Sequence, residues 1–239
     1  MRLIRNAFAI LPALLLMANV SSPLAGNNNI VKQLHAGVAK TVALIDHYAD
    51  WNLTAIGLSK EAFDYAFKGY NYLKEKNLLN NSEVLTIVDY SKPSSQKRLY
   101  VLDMNTGELL FNSLVAHGRN SGLEYANDFS NAEESHKTSL GFFITMSTYN
   151  GNNGYSLRLQ GCEKGINDNA LERAIVMHGA AYVNENFVNS NGYLGRSYGC
   201  PAVPENLNKK IIETIKNGSC MFLYHPTKKY TAVSKILNS

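Results

Sequence analysis

Residues 175–203 read IVMHGAAYVNENFVNSNGYLGRSYGCPAV. An apolar, strand-like run ends in His178, and a polar loop with several glycines leads from there to Cys200, which lies between Gly199 and Pro201. A histidine at the end of a strand and a cysteine in a tight turn are the two groups that a thiol nucleophile requires. The stretch therefore predicts a cysteine-dependent enzyme.

The flanking sequence predicts a mainly β fold with helical additions. Runs rich in β-branched and aromatic residues predict about seven short strands, at 84–90, 98–104, 108–117, 140–146, 155–160, 173–178 and 219–225. The turn Asn105-Thr106-Gly107 predicts a hairpin between the second and third strands. Because strands and helices do not alternate, we expect a mostly antiparallel β-sandwich or a barrel-like sheet.

The chain divides into four regions. Residues 1–26 are predicted to be a signal peptide, and residues 27–81 an N-terminal helical element with helices over 31–48 and from an N-cap at Ser59. Residues 83–226 form the expected catalytic domain, which also contains a helix at 204–217. The lysine-rich residues 227–239 are predicted to be a polar tail.

The first region has the pattern of an export signal. Arg2 and Arg5 precede the apolar run at 7–18, which is too short to span a bilayer. Cleavage is expected near 22–26, although Pro23 obstructs the obvious sites. We therefore expect secretion across the inner membrane to the periplasm or cell envelope, with no stable membrane span after cleavage. A retained membrane anchor is the alternative.

Composition excludes several classes of protein. Hydrophobic residues make up 45% and charged residues 18% of the chain, as in ordinary globular proteins. The formal net charge is only +4, and it becomes smaller when Arg2 and Arg5 are removed with the signal peptide. No basic run suggests nucleic-acid binding. No histidine–carboxylate pair has metal-ligand spacing, so we expect no metal site.

The chain has three cysteines, and only one lies in a sequence suited to chemistry. Cys220 is in an apolar run and is expected to be a buried hydrophobic residue, whereas Cys162 follows a glycine without further signal. For Cys200, a neighbouring histidine can take the thiol proton, which predicts a thiolate–imidazolium pair with His178. On these residues alone, a core histidine and a structural cysteine remain an open alternative.

The residues just before the cysteine suggest supporting roles. Gly199 permits a turn that a side chain would block. It also leaves backbone N–H groups around Cys200 exposed enough to form an oxyanion hole. Ser197 can hold either the loop or the ring of His178 by a hydrogen bond.

Several segments resemble the catalytic domain of YkuD-type L,D-transpeptidases, in particular the murein L,D-transpeptidase branch. The resemblance covers roughly residues 83–226. The segments that carry it are Val115-Ala116-His117-Gly118, Phe129-Ser130-Asn131, Thr138-Ser139-Leu140-Gly141-Phe142, Tyr155-Ser156-Leu157-Arg158-Leu159, Gly165-Ile166-Asn167-Asp168-Asn169-Ala170, His178-Gly179 and Gly195-Arg196-Ser197-Tyr198-Gly199-Cys200-Pro201-Ala202-Val203.

This resemblance implies a fold, a substrate and a mechanism. It implies an L,D-transpeptidase-like β-sandwich and peptidoglycan stem peptides as substrate. Cys200 would form a thioester with diaminopimelate and expel the terminal D-alanine, with His178 as general base. The amine of a second stem peptide would then accept the acyl group to give a 3-3 cross-link. No cofactor is implied, since the energy comes from the peptide bond already present.

The sequence departs from the commoner family pattern beside the cysteine. Tyr198 stands where those enzymes carry a histidine, and Ala202 stands where they carry an arginine or asparagine. We therefore predict substrate binding by Tyr198 and by Arg196 or Arg173, since a guanidinium can bind a carboxylate in a bidentate manner. The alternative for Arg173 is a structural pairing with Asp168 or Glu172.

Two other functions stay open. Water in place of the acceptor amine would make the protein an L,D-carboxypeptidase or endopeptidase. A non-catalytic peptidoglycan-binding envelope protein is the second alternative, against which the intact His178 and Cys200 argue. Sortases have the same order of histidine and cysteine but need an arginine shortly after the cysteine, and none follows Cys200.

Overall fold

A computed structural model describes residues 46–239. The described chain is built around eight strands, and the predicted mainly β architecture with helical additions is confirmed. The strands are β1 (Val84–Asp89), β2 (Leu99–Asp103), β3 (Leu109–Ser113), β4 (Gly141–Gly151), β5 (Gly154–Gly161), β6 (Val176–Gly179), β7 (Ala202–Val203) and β8 (Cys220–Tyr224).

All eight strands belong to one sheet, in the order β3-β2-β1-β8-β4-β5-β6-β7. Most neighbours are antiparallel, and the parallel pairs are β1 with β8 and β6 with β7. The chain just after β3 returns to the opposite edge, where Ala116 forms an antiparallel bridge with Ala202 of β7. The sheet therefore curls until its two edges nearly meet, as in the predicted barrel-like arrangement.

The helices in chain order are α1 (His47–Asp50), α2 (Lys60–Glu75), α3 (Glu185–Asn191), α4 (Glu205–Ile215) and α5 (Lys228–Thr231). The helix predicted from Ser59 is confirmed as α2, because the Ser59 hydroxyl accepts a hydrogen bond from Ala62 N at 3.2 Å. One face of α2 is buried and packs against β1 and β8. In the described chain, no helix is long and apolar enough to cross a membrane.

The predictions for the start of the chain lie mostly outside the described residues. The signal peptide at 1–26 and nearly all of the helix predicted at 31–48 belong to this part of the sequence. The described part of the N-terminal element shares its hydrophobic core with the sheet, since Phe63 and Leu73 of α2 belong to the same buried cluster as Phe142 and Phe222.

Two elements between His178 and α4 were not predicted. α3 forms in the segment predicted to be a loop. None of its residues is buried, so its sequence lacks the apolar periodicity that would predict a helix. Its ends carry ordinary signals: the Asn184 side chain accepts from Phe187 N at 2.8 Å, and Gly192 has φ of 82°. The other element, β7, has only two residues.

The final residues, predicted as a polar tail, contain α5 and contribute to the core. Tyr230, Ile236 and Leu237 are buried. The buried Glu163 carboxylate accepts hydrogen bonds from the hydroxyls of Tyr230, at 3.0 Å, and of Ser234. Burial raises the pKa of Glu163 above its ordinary value. The tail is therefore anchored to the loop after β5 by a buried polar network.

Candidate active site around Cys200 and His178

The parallel pairing of β6 and β7 brings the predicted nucleophile to the predicted base. His178 is aligned with Ala202 in the register of this pair, and Cys200 lies just before β7. The Cys200 Sγ accepts a hydrogen bond from Val176 N at 3.4 Å and lies 3.8 Å from Ala174 O. Cys200 therefore sits beside the strand that carries His178.

The imidazole of His178 is oriented by its own backbone. It is only 5% exposed, and its Nδ1 lies 2.9 Å from Gly179 O. A carbonyl oxygen can only accept a hydrogen bond, so Nδ1 carries the proton and Nε2 has a free lone pair. Among the described residues, no hydrogen bond joins His178 to Cys200. Such catalytic contacts are often long before substrate binds.

The charge state of the pair differs from the sequence-based prediction. Burial raises the pKa of the Cys200 thiol, and this effect outweighs the Val176 N–H and the positive charge of Arg173, which lower it. Burial also lowers the pKa of His178 more than its hydrogen bond to Gly179 raises it. Both shifts favour a neutral thiol and a neutral imidazole at pH 7, and the predicted resting thiolate–imidazolium pair is wrong for this substrate-free state.

The rate at which iodoacetamide alkylates Cys200 should report this charge state. Because the thiol pKa is raised, we expect the rate to be low at pH 7 and to increase through a midpoint above the ordinary cysteine value of about 8.5. Peptide-resolved mass spectrometry over a pH series would measure the midpoint, with Cys162→Ala as the control that removes the other half-buried thiol. A rate that is already at its plateau at pH 7 would contradict the neutral pair.

Ser197 holds the turn that carries the cysteine. Its hydroxyl donates to Cys200 O at 2.6 Å and accepts from Gly199 N at 3.1 Å. Of the two roles considered for Ser197, the structure therefore shows the one in which it holds the loop. The same contact occupies the Gly199 N–H, so this group is not available to the oxyanion hole predicted around Cys200, whereas the Cys200 N–H donates no hydrogen bond within residues 46–239.

Gly199 is required by its surroundings as well as by its conformation. Its φ is +122°, which L side chains rarely adopt. A Cβ at this position would lie 2.8 Å from Lys137 O and 3.0 Å from the Ile175 side chain. The turn therefore packs directly on the loop that contains Lys137, and a side chain at Gly199 would separate the two.

Arg173, predicted as a substrate ligand, instead forms hydrogen bonds with the loop that contains Lys137. Its Nη1 donates to Ser130 O at 2.8 Å and to the Ser139 hydroxyl. Its Nη2 donates to Lys137 O at 2.7 Å and to the Ser135 hydroxyl at 3.2 Å. The structural alternative for Arg173 thus fits these contacts, although its partners are neither Asp168 nor Glu172. Its charge still acts on the thiol, whose pKa it lowers.

Tyr198 and Arg196 lie on the outer side of the turn. Tyr198 is 65% exposed, and its ring is flanked by His136, with ring centroids 4.6 Å apart, and by the Arg119 guanidinium at 5.7 Å. Arg196 is exposed and reaches Gly122 O at 3.3 Å. Neither Arg119 nor Arg196 forms an ion pair with a described residue. Two exposed guanidinium groups therefore border the turn, and sequence analysis singled out only one of them.

A buried polar cluster supports the turn from inside. Arg98 is fully buried, donates to Lys92 O and Val115 O at 2.8 Å each, and contacts His117 Nδ1 at 2.8 Å. Burial, together with the charge of Arg98, lowers the pKa of His117 to about 3, so the ring is neutral. The backbone oxygen of His117 accepts from Ser197 N at 3.0 Å. His117 therefore has a structural role, whereas nothing in the sequence distinguishes Arg98 from a surface arginine at the start of a strand.

Residues 46–239 contain no group of three or more histidine, cysteine or acidic side chains that could hold a metal ion.

The fold and these contacts define a mainly β protein with a cysteine–histidine site at the junction of two parallel strands. Residues 54–224 match the family described as L,D-transpeptidase catalytic domain. This match covers more than half of the chain, and the protein belongs to that family.

Solved structures from several bacteria are similar to this chain. An L,D-transpeptidase from Mycobacterium smegmatis is 16% identical over 60% of this chain and 59% of that chain, with a TM-score of 0.38. L,D-transpeptidase 1 from Mycobacterium tuberculosis is 12% identical over 60% and 62%, with a TM-score of 0.34. The helical cell shape determining protein Pgp2 from Campylobacter jejuni is 13% identical over 61% and 48%, with a TM-score of 0.39.

In each case the match spans less than two-thirds of the other protein, and likeness at this level assigns no role to any residue. No curated protein matches the chain in sequence.

Proposed function

We propose that this protein is a cell-wall cysteine acyltransferase that acts on peptidoglycan stem peptides and forms 3-3 cross-links by L,D-transpeptidation. The observation that carries the proposal is the position of Cys200 beside the strand bearing His178, inside the region that matches the L,D-transpeptidase family. The export pattern in residues 1–26 supports a periplasmic or envelope location.

In the first half of the reaction the donor peptide is transferred to the enzyme. The Cys200 Sγ attacks the carbonyl carbon of the diaminopimelate residue, and its proton passes to Nε2 of His178. The new S–C bond forms while the carbonyl electron pair moves to oxygen, giving a tetrahedral oxyanion. When this intermediate collapses, the C–N bond breaks and D-alanine leaves with the proton held by His178, so that a thioester remains.

In the second half an amine of another stem peptide takes the acyl group. Neutral His178 removes a proton from the attacking amine, the C–S bond breaks, and the thiol regains its proton. The neutral resting pair suits this cycle, because His178 has an unprotonated Nε2 at the start of each half. Water as the acceptor would follow the same steps and yield a shortened peptide.

Purified protein incubated with muropeptides, with products identified by mass spectrometry, tests the proposal. We expect dimers that have lost one D-alanine. Shortened monomers without dimers would replace transpeptidation with the carboxypeptidase or endopeptidase reaction. Binding without any product would support the non-catalytic envelope protein and overturn the proposal.

Arg196 is proposed to bind a carboxylate of the donor peptide. Its guanidinium is exposed, borders the Tyr198–Cys200 turn and has no acidic partner among the described residues. For Arg196→Lys we expect KM to increase about tenfold with little change in kcat, since lysine keeps the charge but loses the bidentate geometry.

Steady-state kinetics with a tetrapeptide donor would measure this effect. Arg158→Lys is the matched control, because Arg158 is on β5, outside the turn, and lies over the ring of Tyr149 on β4. Unchanged kinetics for Arg196→Lys would remove Arg196 from the site.

A further inference from the structure

Thr138 connects the two segments that meet behind the cysteine turn. Its side chain is fully buried, and its Oγ1 accepts a hydrogen bond from Gly118 N at 2.9 Å and donates one to Gly199 O at 3.2 Å. The backbone of Thr138 is also held on both sides: its N–H donates to the Ser121 hydroxyl at 2.9 Å, and its carbonyl accepts from Ser130 N at 3.1 Å. The hydroxyl is therefore fixed in position, with Gly118 N as its donor and Gly199 O as its acceptor.

The contact with Gly199 O determines the direction of the next N–H group. The described chain has no cis peptide bonds, and in a planar trans peptide the C=O and the following N–H point in opposite directions. With Gly199 O directed at Thr138, the Cys200 N–H points away from Thr138. This N–H also lowers the pKa of the thiol of its own residue.

Two other backbone groups of the turn are already paired. Ser197 Oγ binds both Gly199 N and Cys200 O. The backbone hydrogen bonds of residues 46–239 include none donated by Cys200 N. The Cys200 N–H is thus a preorganised donor beside the reacting sulfur, and its direction depends on what holds Gly199 O.

We infer that Thr138 is a positioning residue, whose hydroxyl aims the Cys200 N–H at the oxyanion formed when the thiol attacks an acyl carbonyl. This inference rests on the proposed acyl transfer through Cys200. Thr138 itself does not touch the substrate. It acts by fixing the Gly199–Cys200 peptide plane, so that the donor need not reorient when charge develops on oxygen.

Two small probes separate this role from a general loss of structure. Acylation of Cys200 by p-nitrophenyl acetate passes through a tetrahedral oxyanion, whereas alkylation by iodoacetamide is a displacement at a saturated carbon and forms none. For Thr138→Val, which is nearly isosteric but lacks the hydroxyl, we expect acylation to fall roughly 10- to 100-fold, with alkylation unchanged within about twofold. Thr138→Ser keeps the hydroxyl and should restore acylation.

Equal losses in both reactions, or no loss of acylation, would overturn the inference. If Thr138→Val does not fold, Thr138→Ala serves as the second variant and must show the same selective loss of acylation. Because neither probe requires a peptidoglycan peptide, a protein that fails to process muropeptides but shows the selective loss would disprove the proposed substrate and leave the role of Thr138 standing.

Discussion

Cys200→Ala is expected to abolish product formation from muropeptides, with a fall of at least about 10⁴-fold in turnover, since no other group can take over as nucleophile. Burial raises the pKa of Cys162 to about 12 and also raises that of the fully buried Cys220, so neither thiol supplies a thiolate near neutral pH. Cys220 lies in β8 and Cys162 follows the end of β5, both away from the β6–β7 junction. Mass spectrometry of the products would measure the loss.

Cys162→Ala is the matched control and should retain full activity. Thermal unfolding of Cys200→Ala should remain close to that of the unmodified protein, because the sulfur makes only weak contacts with Val176 N and Ala174 O. Retained activity in Cys200→Ala, with the fold intact, would refute every mechanism that uses this thiol.

Arg98→Met is expected to lower the free energy of unfolding by about 2–4 kcal/mol. Methionine fills similar space but donates no hydrogen bond, which leaves Lys92 O, Val115 O and His117 Nδ1 without their buried donor. The guanidinium also packs over the Tyr90 ring at 4.9 Å. Urea unfolding followed by tryptophan fluorescence and circular dichroism would measure the change.

Arg158→Met provides the control for the arginine-to-methionine change itself. Arg158 is half-buried and lies over the Tyr149 ring at 4.2 Å, so its replacement should cost less than about 1 kcal/mol. An equal, small effect at both positions would show that the segment carrying His117 does not depend on Arg98. If Arg98 acts as described, activity should also fall, because His117 O supports Ser197 in the cysteine turn.

Most strands were predictable because their signal is local. Val84–Asp89 and Cys220–Tyr224 are buried along their whole length and consist largely of apolar residues. The capped helix from Ser59 was predictable for the same reason. β7 and α3 were missed because one is too short and the other has no buried face, so neither produces a periodic pattern.

The partners of individual side chains were much harder to predict. Arg173 could be assigned to a substrate carboxylate only while its contacts with residues 130–139 were unknown. The charge state of Cys200 was predicted in the wrong direction because desolvation depends on what covers the thiol, and no spacing in the sequence reports that. Thr138 belongs to a segment that resembles the family, but the sequence indicated no role for its hydroxyl, since its partners Gly118 and Gly199 are distant in the chain.

The sequence alone determined the chemical groups of the site, their order along the chain, and the glycine turn that holds the cysteine. These features can be recognised from single residues and short motifs such as Gly199-Cys200. Tertiary structure decided how the groups are used. The pairing of β6 with β7 brings Cys200 beside the strand that carries His178, burial keeps both neutral, and the contact with Thr138 orients the Cys200 N–H. The physical reason is that desolvation and hydrogen-bond direction depend on three-dimensional surroundings built from segments far apart in sequence.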